Sequence, residues 1–175
     1  MTLTLASLVF NFVPFLCYSS ELQPESNDAY SVENRLFHIE RSVNRNIVCY
    51  DINLDRAGVP DEKRPMSVYW INREERAGQR GELSFIQERF AYGYSVTGKR
   101  NGVIIIALNA VKNREITIEH NGEKYFCKLN INNSPSALHK IFVKTKPNNS
   151  IQVEYVDIHG FELATGVIMV ERIFP

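Results

Sequence analysis

From Leu36 to Ile173 the chain is a succession of short apolar runs, each ended by Gly, Pro, Asn or Asp at close spacing, and this constrains the fold more than any other feature. Leu36 to Ser42 alternates, with Phe37, Ile39 and Arg41 on one face and His38 and Glu40 on the other. The turn Ser42 to Asn46 leads into Ile47 to Leu54, where Val48, Tyr50, Ile52 and Leu54 are expected inside. Val103 to Leu108 is continuously apolar, as a strand buried on both faces would be. Asn121-Gly122 marks a hairpin between Ile116 to His120 and Lys124 to Ile131. Lys146 to Asn149 marks another between Leu138 to Thr145 and Ile151 to Ile158, and Val167 to Ile173 closes the series. The expected fold is mainly β, an antiparallel barrel or sandwich of about nine or ten strands with one short helix.

That helix lies in the stretch Pro65 to Val96, which also holds the only Trp. Ser84 is a candidate N-cap with Gln87 three residues on, the pairing of a capping box. Leu83, Ile86 and Phe90 share one face, and so short a helix must lie on a sheet to persist, with Met66, Val68 and Trp70 as the nearest apolar partners. Gly93 is expected to end it in the left-handed conformation. Trp70 is expected to pack under Ile86 and Phe90, and Tyr69, its neighbour on a strand, to point away.

The 175 residues suit one domain, and 44% hydrophobic content suffices for a core. Twenty basic and twenty acidic residues cancel, and the scattered Lys and Arg lack the clustering that nucleic-acid binding uses. Leu3 to Tyr18 carries no charged side chain, which reads as a secretory signal peptide over 1–20, followed by a polar linker over 21–35 and a single β domain over 36–175. Pro14 interrupts the apolar run and argues against a retained membrane span. The expected location is therefore periplasmic or extracellular. Lipidation of Cys17 is disfavoured by the bulky Leu16 before it. Once the signal is removed, Cys49 and Cys127 remain. Cys127 shares an inward face with Tyr125, Leu129 and Ile131, whereas Cys49 sits with Ile47, Asp51 and Asn53 on a face read as outward, so two separate thiols are favoured over a disulfide.

Catalytic signatures are missing from the sequence: it has no Gly-x-Ser-x-Gly elbow, no phosphate-binding Gly loop and no His-Glu-x-x-His, and no cofactor or metal is expected. His38 and Glu40 are spaced to share a ligand, with His120 a conceivable third, but surface histidines are the commoner outcome. The candidate ligand-binding residues are Arg41, Asn44 and Asn46 in the first turn and Tyr69, Tyr92 and Tyr94 in the aromatic stretch, with Trp70 beside them. Aromatic walls supply contact area and a few polar groups supply orientation, although the same residue types are ordinary in strands and turns.

The run Phe37-His38-Ile39-Glu40-Arg41-Ser42-Val43-Asn44-Arg45-Asn46-Ile47-Val48, with Pro65 to Trp70 and Ala91-Tyr92-Gly93, resembles an uncharacterised family of secreted bacterial proteins, domain of unknown function 4833. The resemblance covers Leu36 to Ile173 and implies an exported, mostly β domain; it implies no reaction and no ligand. The leading expectation is non-catalytic binding of a small molecule, a glycan or an envelope partner. The alternatives are an envelope hydrolase assembled from dispersed groups such as His38, Glu40 and Asp51, and a structural protein-interaction domain.

Overall fold

A computed structural model describes residues 34–74, 78–109 and 111–175. The proposed signal peptide, Cys17 and nearly all of the linker lie outside the described residues. In chain order the elements are β1 (Arg35–Arg41), β2 (Asn44–Ile52), β3 (Met66–Ile71), β4 (Arg80–Glu82), α1 (Phe85–Gln87), a π-turn over Glu88–Tyr92, β5 (Tyr94–Arg100), β6 (Val103–Leu108), β7 (Val111–His120), β8 (Tyr125–Ile131), β9 (Ser134–Lys146), β10 (Asn149–Glu162) and β11 (Ile168–Ile173). The domain is mainly β, and its strands form one curled sheet in the order β4-β3-β2-β1-β9-β8-β7-β6-β5, with β10 and β11 added beyond β9.

The sheet is mixed, which corrects the antiparallel expectation. Strand β1 pairs parallel to β9, His38 opposite Lys140 and Arg41 opposite Val143, while the other ladders are antiparallel. Ser136 and Ala137 of β9 pair with both β8 and β10, and Ile141 and Phe142 pair with both β1 and β10. Strands β1 and β8 therefore follow one another along a single edge of β9. Two arms leave that edge, β1 to β4 and β8 to β5, and their inner faces share one core. Phe37, Ile39, Tyr50 and Met66 from one arm meet Ile104, Ile106, Ile116, Ile118 and Leu129 from the other. Phe37 and Tyr50 stack with ring centroids 4.2 Å apart.

Side chains join the arms where no ladder does. The Tyr94 hydroxyl donates to the Met66 carbonyl at 2.7 Å and accepts from the Met66 amide at 3.0 Å, linking β5 to β3. Tyr125 on β8 donates to the Gly58 carbonyl at 3.1 Å, which pins the loop after β2. Leu54, expected inside, is 40% exposed at the start of that loop, its bridge to Pro60 having ended the strand.

Both faces of the first arm are covered, which corrects the reading of Tyr69 and Cys49 as outward. Ile47, Cys49, Tyr69 and Ile71 form a second buried cluster on the face opposite the main core. Cys127 lies in the main core, so the two cysteines occupy opposite faces and are not bonded to each other. The two expected hairpins form, β7 with β8 around Asn121 to Lys124 and β9 with β10 around Lys146 to Asn149, and two further tight turns accompany them. Asn101-Gly102 and Asn132-Asn133 join paired strands with both central residues at positive φ, the geometry of a type I′ turn. Asn121 to Lys124 is a longer loop in which the Asn121 side chain accepts from the Glu123 and Lys124 amides.

Candidate functional site

The capping box at Ser84 forms as its sequence predicts: Gln87 N donates to Ser84 Oγ at 3.3 Å and Ser84 N to Gln87 Oε1 at 2.9 Å. The next turn does not continue the α-helix. The Gly93 amide reaches back five residues to the Glu88 carbonyl at 2.8 Å, an i to i−5 bond that widens the turn and rotates what precedes it. As a result Ile86 and Phe90, expected to dock against the sheet, point outward at 69 and 67% exposure, with Phe85 at 70% beside them. Leu83, Ala91 and Tyr92 pack on the core instead. Trp70 lies against the turn through Gln87, whose Oε1 is 3.4 Å from the indole nitrogen, and edge-on to Tyr92 with centroids 5.1 Å apart.

Gly93 is not left-handed. Its φ of −69° and ψ of 171° are extended, and the reason for a glycine is room: a Cβ there would lie 2.0 Å from the Glu88 carbonyl oxygen and 2.8 Å from Asn109 Nδ2. Asn109 clamps the turn twice, its side chain donating to the Glu88 carbonyl at 3.0 Å and its amide to the Gly93 carbonyl at 2.8 Å. The buried Tyr50 hydroxyl donates to the Tyr92 carbonyl at 2.6 Å from below. Three large apolar side chains are thus held toward solvent by a turn fixed on several sides. The Arg89 guanidinium lies 5.9 Å from the Phe85 ring centroid and 5.7 Å from that of Phe90.

Of the expected site residues, Arg41 meets Tyr92 of this turn, and Asn44 stands opposite Arg41 on the neighbouring strand. Arg41 and Asn44 are cross-strand partners, Arg41 donates to the Ser150 carbonyl at 2.5 Å, and its guanidinium also bonds the Tyr92 hydroxyl. Burial nevertheless raises the Tyr92 pKa above the usual phenol value. Asn44 Oδ1 is buried and accepts no hydrogen bond from the described residues. The other three serve structure: Asn46 accepts from the Arg73 amide at 2.9 Å, Tyr94 ties Met66, and Tyr69 bonds Asp51 and Arg35. Burial, then the Asp51 carboxylate, pushes the Tyr69 phenol up to about 12.

A second polar group lies on the outer face, where periodicity had placed His38 and Glu40. His38 Nε2 is 3.2 Å from Glu40 Oε1, and Lys140 on the parallel strand donates to Glu40 Oε2 at 2.9 Å. Lys140 faces His159 and Leu138 faces Gly160, so His139 is the extra residue of a bulge, turned beside His38 with ring centroids 5.8 Å apart. Three of the four histidines gather here, whereas His120 packs against Tyr125 and Asp51 is held by Arg35. Of the dispersed His38, Glu40 and Asp51 arrangement, His38 and Glu40 meet, while the Asp51 carboxylate is taken up by Arg35 and Tyr69. Burial lowers the His38 and His159 pKa values; it opposes ionisation of Glu40, but the bonds from Lys140 and His38 outweigh it and keep that carboxyl below its ordinary range. Among the described residues no group of three or more His, Cys, Asp or Glu is placed to hold a metal ion.

A family model matches residues 37–172, which takes in every strand of the sheet and both groups of side chains. The chain belongs to the family described as Domain of unknown function (DUF4833). No curated protein and no solved structure matches it. In this DUF4833 chain two open clefts among the described residues lie away from the groups above. One of about 410 Å³ is lined by Arg114, Asn130, Asn132 and Glu171, and one of about 660 Å³ by Asn53, Asp55, Asp61 and Arg64. Arg114 pairs with Glu171 in the first, and in the second Asp55 and Asp61 cap the backbone of their own loop. No helix among the described residues is long and apolar enough to cross a membrane.

Proposed function

We propose that this domain is an exported, non-catalytic binding module on a barrel-like β scaffold, which docks an envelope partner through the turn bearing Phe85, Ile86 and Phe90. The supporting observation is the outward presentation of these side chains by a clamped turn. Large apolar side chains left in solvent gain nothing for the fold, and a contiguous exposed group of them marks a contact surface more often than chance. The charge-free run at the N-terminus supports export. A photoreactive amino acid at position 86, expressed in native cells, should cross-link to an envelope component, while the same probe at Lys124 in an exposed hairpin loop should not. Equal yields from the two positions would overturn the reading.

The orphan acceptor at Asn44 favours a second reading, a small hydroxylated molecule or glycan bound by Arg41, Asn44 and Tyr92. A buried acceptor without a donor costs about 1 to 3 kcal/mol, which a ligand hydroxyl would restore. Native mass spectrometry of the chain from its own cells should then show a retained ligand that Arg41→Ala loses; no mass difference between wild type and variant would dismiss it.

A further inference from the structure

Resting on the docking proposed above, we infer that the partner of the Phe85, Ile86 and Phe90 turn is a lipid surface with anionic headgroups. A large aromatic side chain offers about 150 to 250 Å². Seven-tenths exposure of three large side chains therefore presents on the order of 400 Å². A bilayer takes such side chains singly, with binding that grows with the area inserted.

Shape and charge point the same way. Exposures near 70% belong to side chains that protrude, not to the walls of a groove. Arg89 lies within 6 Å of both rings, so that inserted rings would leave its guanidinium at the level of the phosphates. The turn cannot fold its apolar side chains back inward without breaking the bonds at Glu88 and Gly93. Glu88 precedes Arg89 and offsets its charge, so the preference for anionic lipid should be several-fold, with the apolar contact dominant. A second exposed apolar strip, Val167, Ile168, Val170 and Phe174, lies on and beside β11 and supplies an internal control.

The test is co-sedimentation of the exported chain, purified from its own cells, with phosphatidylcholine vesicles, with and without phosphatidylglycerol. Wild type should bind both and prefer the mixed vesicles. The double variant Phe85→Ser, Phe90→Ser should lose at least tenfold in partition, Arg89→Gln several-fold on mixed vesicles only, and Ile168→Ser nothing. Far-ultraviolet circular dichroism establishes that each variant is folded, and Ile86→Asp, at a mostly exposed position, carries the test if the double variant is not. Absent wild-type sedimentation, unchanged binding by the turn variants, or loss only in Ile168→Ser would each overturn the assignment. Cross-links from position 86 to a protein, without vesicle binding, would overturn the lipid partner and leave the docking turn standing. Cross-links to neither would overturn both.

Discussion

Replacing Gly93 with Ala should destabilise the domain although the backbone there suits alanine. An ideal Cβ falls 2.0 Å from the Glu88 oxygen, 2.9 Å from its carbonyl carbon and 2.8 Å from Asn109 Nδ2, and two of these atoms are backbone that cannot swing aside. Relief requires opening the turn, which gives up the Gly93 to Glu88 bond and the Asn109 to Glu88 bond, about 1 kcal/mol each. Displacing residue 92 also takes the carbonyl from the buried Tyr50 hydroxyl, adding about 1 to 3 kcal/mol for a stranded donor. Against this, alanine restricts the unfolded chain and returns about 0.4 to 1 kcal/mol. The net expectation is a loss of about 2 to 4 kcal/mol. Urea denaturation followed by the fluorescence of Trp70, the single Trp and a neighbour of this turn, measures it. Gly122→Ala is the comparison, since its Cβ would meet nothing and only a φ of +96° opposes it, at about 1 to 2 kcal/mol. A Gly93→Ala midpoint equal to wild type would refute the argument that close approach fixes this residue.

Tyr50→Phe should cost about 1 to 3 kcal/mol by leaving the Tyr92 carbonyl unpaired, read from the same urea curves; an unchanged midpoint would show that water replaces the hydroxyl. The lowered pKa values of His38 and His159 mean that the unfolded chain binds more protons in mildly acid solution. Stability should therefore be full above about pH 6.5 and fall as pH drops through their folded values. The facing groups are Glu40, His139 and Arg73 for His38, and Lys140, Asp157, Glu40 and His139 for His159. His38→Gln should flatten this slope below about pH 6.5, and a second decline should follow below about pH 4.5 as Glu40, Asp157 and Glu171 protonate. Burial pushes the Cys127 thiol far up, so iodoacetamide should leave its peptide unmodified in the native chain and alkylate it in urea, as mass spectrometry of the digest will report.

What was legible in the sequence was local. The alternation of Phe37, Ile39 and Arg41 against His38 and Glu40, the buried run Val103 to Leu108 and the Ser84 cap appear in the fold as read. The outward turn was not legible, because i, i+3, i+7 spacing describes an α-helix and the i to i−5 bond at Gly93 shifts the face. Tyr69 was misread because alternation says that two neighbours face opposite ways without saying that both faces are covered. His139 reaches His38 only through a bulge, and β1 meets β9 across about one hundred residues; neither leaves a local mark. Of the proposed ligand residues, the cross-strand pair Arg41 and Asn44 was foreseeable from the first hairpin, whereas the meeting of Arg41 with Tyr92, about fifty residues on, leaves no local mark.

The parallel seam between β1 and β9 bears on how the chain is made. At about 5 to 20 residues per second, the ribosome takes roughly 5 to 20 s to add the hundred residues separating Glu40 from Lys140. Throughout that interval the β1 and β2 hairpin can form, yet the edge of β1 that belongs to β9 stays unpaired, with Phe37 and Ile39 lacking the other arm's core. The nascent domain thus carries an open strand edge until its last third has emerged. That delay makes the first hairpin the segment that a holding chaperone would meet.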